Sequence, residues 1–106
     1  MSDLKALSAR AQEIRQKYNE LNARDSHSQW GGKEYAMGLV TDIGELLEAI
    51  MAKEKLRRGE DADTRLAHEL ADCLWSVLVI AGHYGVDLEK EFLKTMDSLE
   101  RRIAEA

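Results

Sequence analysis

Four carboxylates in two short runs offer the chemistry in this sequence. The first run is Asp42-Ile43-Gly44-Glu45 and the second is Glu69-Leu70-Ala71-Asp72. In each, two acids stand three residues apart, so on a helix they share one face and repel each other. Their neighbours are apolar: Ile43, Leu46 and Leu47 beside the first pair, Leu66, Leu70 and Leu74 beside the second. Carboxylates set against a core stripe need a partner, and a divalent cation is the simplest one. Two such helices face to face would gather four carboxylates around one small volume. Oxygen ligands select hard cations: Mg²⁺, Mn²⁺ or Ca²⁺. Mg²⁺ usually keeps waters and bridges to substrate phosphates, so a Mg²⁺ site here reads as a phosphate-handling one. There a water becomes a nucleophile, and a spare carboxylate takes its proton. The bland reading is that acid pairs at this spacing arise by chance in an acidic chain.

Other chemistries find less support. No Glu-x-x-His pair is present for a di-iron bundle. A Gly-rich phosphate loop and a Ser/His/Asp pattern are also absent from the sequence. The net charge of −5 argues against a general nucleic-acid binder. No apolar run reaches the roughly 18 residues that span a bilayer, so no membrane partner is expected. The first residues, Met1-Ser2-Asp3-Leu4-Lys5, show no apolar signal core. Cys73 is the single cysteine, which excludes an internal disulfide and suits a reducing cytoplasm. It reads as an inert, small core residue.

The elements that must position the acids are helices. The chain has 106 residues, of which 44% are hydrophobic and 33% charged, with no proline. That is one folded domain with a helical bias. Apolar residues at steps of three and four predict helices over about 3–23, 33–56, 62–83 and 88–103. Ser2, Asp61 or Asp63, and Asp87 suit N-caps, and Gly85 suits a C-cap. Lys55, Arg57 and Arg58 read as a solvated helix end. Gly44 either relieves bulk beside the acids or allows close helix packing. Short connections predict an all-α, antiparallel four-helix bundle-like protomer. So small a bundle needs a partner over its remaining apolar surface, and a homodimer or homotetramer is expected.

Several other residues have two readings. Trp30 lies in the polar segment 24–32, where it either folds back over the core or forms a lid that stacks on a ring. Trp75, three residues after Asp72, is either core or one wall of an acid-lined cleft. His27 and His68 are expected to be solvated rather than ligands. Glu48 lies one turn beyond Glu45 and would stand behind the ligands. Lys33, Lys94, Arg101 and Arg102 are candidate phosphate contacts, with solvated helix ends as their plain alternative.

Over residues 33–103 the sequence resembles the MazG-like family of all-α nucleoside triphosphate pyrophosphohydrolases. The segments that carry the resemblance run from Tyr35 to Ile50 and from Glu69 to Trp75. The family motif is Glu-Glu-x-x-Glu, a spacer, then Glu-x-x-Asp. Here it reads Thr41-Asp42-Ile43-Gly44-Glu45, a spacer, then Glu69-Leu70-Ala71-Asp72. Gly85-Val86-Asp87-Leu88-Glu89 and Phe92 resemble the family's last helix junction. The resemblance implies a Mg²⁺-dependent enzyme (Mn²⁺ as a substitute) that splits a nucleoside triphosphate into monophosphate and pyrophosphate. It implies Asp42, Glu45, Glu69 and Asp72 as metal ligands, with Glu45 and Glu69 also catalytic. Oligomers and house-cleaning of non-standard or excess nucleotides are implied as well. Thr41 and Asp42 stand where the family has Glu. Thr95 and Leu99 stand where many relatives carry a Lys and an Asn. These departures support an alternative reading, a non-catalytic helical oligomer that binds a nucleotide or a protein partner. A helical interaction module without metal is the third reading.

Overall fold

The computed structural model describes residues 3–25, 29–54 and 61–106. Ser2, His27, Lys55, Arg57 and Arg58 lie outside the described residues. Among those described there are four α-helices and no strand: α1 (Asp3–Arg24), α2 (Gly32–Lys53), α3 (Ala62–His83) and α4 (Leu88–Glu105). None of them is long and apolar enough to cross a membrane.

Local chemistry sets the helix ends. The Gly31 N–H donates to Glu34 Oε1 at 2.8 Å, which satisfies one free donor at the start of α2. That bond holds the Glu34 carboxyl below its ordinary range. Asp87 caps α4 by accepting from the Lys90 N–H at 3.1 Å. Asp61 occupies the cap position of α3 with φ 53°, yet its side chain makes no capping bond. At the end of α3, Gly85 adopts φ 67°, a left-handed conformation that glycine takes without strain. The turn there lets the Val86 N–H reach the Ala81 carbonyl at 2.8 Å.

α3 is the central element, with α1 and α2 packed on it. α2 runs antiparallel to it, pairing Lys53 with Asp63 at one end and Asp42 with Ser76 further along. α1 also runs antiparallel. Gln12 Nε2 donates to the Leu78 carbonyl at 3.1 Å, while Tyr18 lies beside Trp75. Ala11, Tyr35, Leu78 and Val79 form the core cluster, with Leu4, Trp75, Ile80 and Leu88 packed around it. Gly32 is buried where α2 begins, under the Tyr84 ring, and a Cβ there would lie 2.0 Å from the Tyr84 hydroxyl, so only glycine fits.

The expected four-helix bundle does not close within one chain. α1, α2 and α3 pack together, but α4 makes only marginal contact and buries none of its residues. Its apolar stripe, Phe92, Met96, Leu99 and Ile103, lies exposed. The radius of gyration, 16.8 Å, exceeds the roughly 13 Å of a compact 100-residue domain. Gly85 and the short link at 84–87 send α4 away from the other three helices. Met37, Val40, Ile43 and Leu47 are exposed on α2, as are Leu70 and Leu74 on α3. The apolar run of α3 is thus core on one side only.

Candidate active site

Antiparallel packing of α2 on α3 sets the first acid run beside the second. Glu69 is only 8% exposed. The adjacent Glu45 carboxyl, followed by burial and charge repulsion, raises the Glu69 carboxyl above the usual carboxylate range. Two carboxyls in such contact hold a proton between them or need a cation. His68 Nε2 lies 3.1 Å from Asp72 Oδ2 and 3.8 Å from Glu69 Oε1. One ligand atom each from His68, Glu69 and Asp72 fall within 4.8 Å of one another, a spacing that can hold a metal ion. His68 is exposed, as expected. It nevertheless stands in the cluster, and its spacing of four residues from Asp72 was a signal available in the sequence.

Asp42 joins from one turn earlier in α2. Ser76, which is 2% exposed, donates its hydroxyl to Asp42 Oδ2 at 3.2 Å. Sequence reasoning missed Ser76, because a serine inside an apolar run carries no pattern of its own. Cys73, next to Asp72 on α3, is half-buried. Burial raises its thiol first, and Asp42, Glu69, Asp72 and Glu45 add to the shift in that order. All four expected acids thus lie close enough to Cys73 to repel its thiolate. A Cβ on Gly44 would meet nothing within 4 Å, so close helix packing does not explain this glycine within one chain. Gly44 is exposed and lies off the face that Asp42 and Glu45 share, so it does not relieve bulk between them either.

Two cavities flank the acids. A cleft of about 500 Å³ is lined by Glu45, Glu48, Thr64, Arg65, His68 and Glu69. Glu48 shares that cleft with Glu45, and Arg65 brings to it a cation that the sequence pattern did not single out. On the other side lies an aromatic cavity of about 320 Å³, where Trp30, Tyr35 and Trp75 meet Thr41, Asp42 and Ser76. Tyr35 sits edge-on to both indoles, with ring centroids 5.4 Å from Trp30 and 5.9 Å from Trp75. Trp30 is 45% exposed yet packs edge-on against the core residue Tyr35, so it covers the core with one side and faces the cavity with another. Trp75 packs against the core and also walls the cavity, which joins its two readings. Gln29 Nε2 donates to the Asn19 carbonyl at 3.0 Å, pinning the residue before Trp30 onto α1.

The expected cations are placed differently. Lys33 is exposed near the start of α2. Lys94, Arg101 and Arg102 lie on α4, which makes only marginal contact with the other helices, so one chain does not bring them to the acids. Thr41 donates to the Met37 carbonyl at 3.4 Å and supplies no acid where the family motif has one.

A carboxylate cluster held between two antiparallel helices, beside an aromatic cleft, defines an all-α protein equipped for a divalent cation. The family model of the MazG nucleotide pyrophosphohydrolase domain matches residues 31–105, and the chain belongs to that family. The family is one of hydrolases and is generally dependent on divalent metals. No curated protein matches the chain.

The donor set fits such a cation: two carboxyls in contact, a third acid and an imidazole nearby, with a further acid on a serine. If Ser76 holds Asp42 as a ligand, Ser76→Ala leaves that carboxylate free to turn. Removing such an orienting partner lowers metal affinity about 10–100-fold. Calorimetric titration with Mg²⁺ and Mn²⁺ measures that loss, and an unchanged affinity would remove Asp42 from the ligand set.

Proposed function

We propose that this chain is a Mg²⁺-dependent nucleoside triphosphate pyrophosphohydrolase, with Mn²⁺ as a substitute. It cleaves between the α and β phosphates and releases a nucleoside monophosphate and pyrophosphate. The observation that carries this reading is the Glu45–Glu69 carboxyl pair, with Asp72 and His68 beside it. Asp42, Glu45, Glu69 and Asp72 are the residues that would hold the metal. When bound, it supplies charge neutralisation for the phosphates.

The chain's own groups do the rest. One of Glu45 and Glu69, adjacent across the helix pair, would take the proton of an attacking water. Arg65 borders the same cleft and meets the charge of the departing pyrophosphate. Lys33, Lys94, Arg101 and Arg102 would join only where a second copy brings them in. Trp30 and Trp75 offer ring faces to the base. The exposed stripe of α4 and the apolar outer faces of α2 and α3 support assembly into a homodimer or homotetramer. A cytoplasmic, house-cleaning role fits the single cysteine and the family, and neither nucleic acid nor membrane is a partner.

The test is pyrophosphate release from a panel of ribo- and deoxynucleoside triphosphates, with and without Mg²⁺ or Mn²⁺. Wild type is compared with Glu45→Gln and Asp72→Asn. Release that needs metal and falls more than about 100-fold in both variants supports the reading. Intact nucleotides throughout would favour a non-catalytic nucleotide- or protein-binding oligomer, as Thr41 and Leu99 allow.

A further inference from the structure

A second cavity adjoins the aromatic one and extends it away from the acids. It measures about 320 Å³ and is lined by Tyr18, Asn22, Trp30, Tyr35 and Trp75. Trp30, Tyr35 and Trp75 line both cavities, so the two lie side by side against the same rings. One carries Asp42, Thr41 and Ser76; the other carries Tyr18 and Asn22 of α1. Each part alone sits at the small end of the 300–1,000 Å³ typical of ligand sites, room for a base or a sugar but not for a whole nucleotide. The far one has room for a base, and the near one, which holds Asp42, lies toward the acids.

Tyr18 and Asn22 come from α1, which lies outside the region matched by the family model. Of the residues around the far cavity, four are aromatic and Asn22 alone offers an amide. Ring faces hold any base, because every base has a π-face. Discrimination needs a donor or acceptor at the base edge, and an Asn amide carries both. Trp75 adds an indole N–H, a buried donor with no hydrogen-bond partner among the described residues. An acceptor on a bound base would give it one.

We infer that α1 supplies the base selectivity of this protein, with Asn22 reading the edge of a nucleobase held in the aromatic cleft. This rests on the reading that the chain binds nucleotides, but not on hydrolysis. Selectivity for the base and affinity for the metal then belong to different helices: α1 for the first, α2 and α3 for the second.

Both tryptophans of the chain line this cleft, so its occupancy reports directly in intrinsic fluorescence. The experiment titrates the whole protein, free of metal, with adenosine, guanosine, cytidine and uridine. Wild type is compared with Asn22→Ala and Asn22→Asp, each checked for native helix content. Asn22 is half-buried and outside the core cluster, so both variants are expected to fold. Wild type should show saturable quenching with one preferred base. Asn22→Ala should bind that base about tenfold more weakly, the loss of one net hydrogen bond, and should flatten the preference. Asn22→Asp, which has lost the donor, should change the order of the bases.

If nucleoside affinities and their order are the same in all three proteins, or if wild type gives no quenching, the proposal is overturned. Pyrophosphate release is measured separately on the same samples. Base-dependent quenching that follows Asn22 without any hydrolysis keeps the cleft and sinks the enzyme. Metal-dependent hydrolysis whose base preference ignores Asn22 does the reverse. Where both hold, Asn22→Ala should raise KM for the preferred triphosphate about tenfold with kcat little changed, because a base contact far from the reacting phosphate acts equally before and during reaction.

Discussion

Glu45→Gln makes the metal-free protein more stable at neutral pH and at the same time removes its response to metal. In the folded chain the Glu69 carboxyl is raised above its ordinary value of 4.5, chiefly by Glu45. A carboxyl raised on folding binds its proton more tightly in the folded state. Its stabilising contribution is therefore complete below the ordinary value and is lost as pH rises through the raised one. Once Glu69 loses its proton beside Glu45, the crowding becomes a penalty on the metal-free fold. Glutamine at 45 removes one charge and donates to Glu69, so the melting temperature at pH 7 rises and its fall between acid and neutral pH flattens. Wild type regains stability when Mg²⁺ binds the folded state alone, and the variant does not. Pyrophosphate release falls more than about 100-fold in the same variant. Melting curves from pH 4 to 8, with and without Mg²⁺, decide the matter. A variant that is less stable than wild type when metal-free at pH 7 would contradict the carboxyl contact.

The second large effect lies on α4. Replacing Phe92 and Leu99 together by Glu keeps helix propensity and places two charges in the exposed apolar stripe. On a monomer such surface changes alter stability by no more than about 0.5 kcal/mol. Where a second copy covers the stripe, each lost apolar contact costs about 1.5–3 kcal/mol, and each buried charge costs more. The expected result is a fall in sedimentation mass to the 12.0 kDa of one chain, with a melting temperature lowered by at least about 10 °C. If mass and melting temperature stay at the wild-type values, α4 is not the assembly surface.

The helices were legible because their signal is local. Apolar steps of three and four place α3 at 62–83, which is its observed span. Asp87 reads as a cap and acts as one, through Lys90. The acid runs were legible for the same reason, and antiparallel packing brings Glu45 to Glu69. Periodicity gives the apolar face of a helix but not the chain that covers it. The stripe of α4 was thus assigned to a bundle within one protomer, and the structure leaves it open. Partners set by tertiary register were not legible either. Ser76 meets Asp42 across 34 positions of sequence, and Asn22 lines one cavity with Trp75 only because α1 lies on α3. His68 is a different case: its spacing to Asp72 was visible, but an exposed histidine beside acids is common enough to pass over.

Among the described residues Val79 is the largest side chain wholly enclosed by one chain; most of the remaining core is alanine, with Tyr35 and Leu78. If copies of the chain supply the missing cover, dilution becomes a chemical variable for this protein. Specific activity would then depend on total protein, bending downward once copies separate faster than they meet. Mg²⁺ and nucleotide, by favouring associated copies, would move that bend to lower concentration. A cell could thus set the threshold for nucleotide clearance through the amount of protein it makes, with no separate regulatory site.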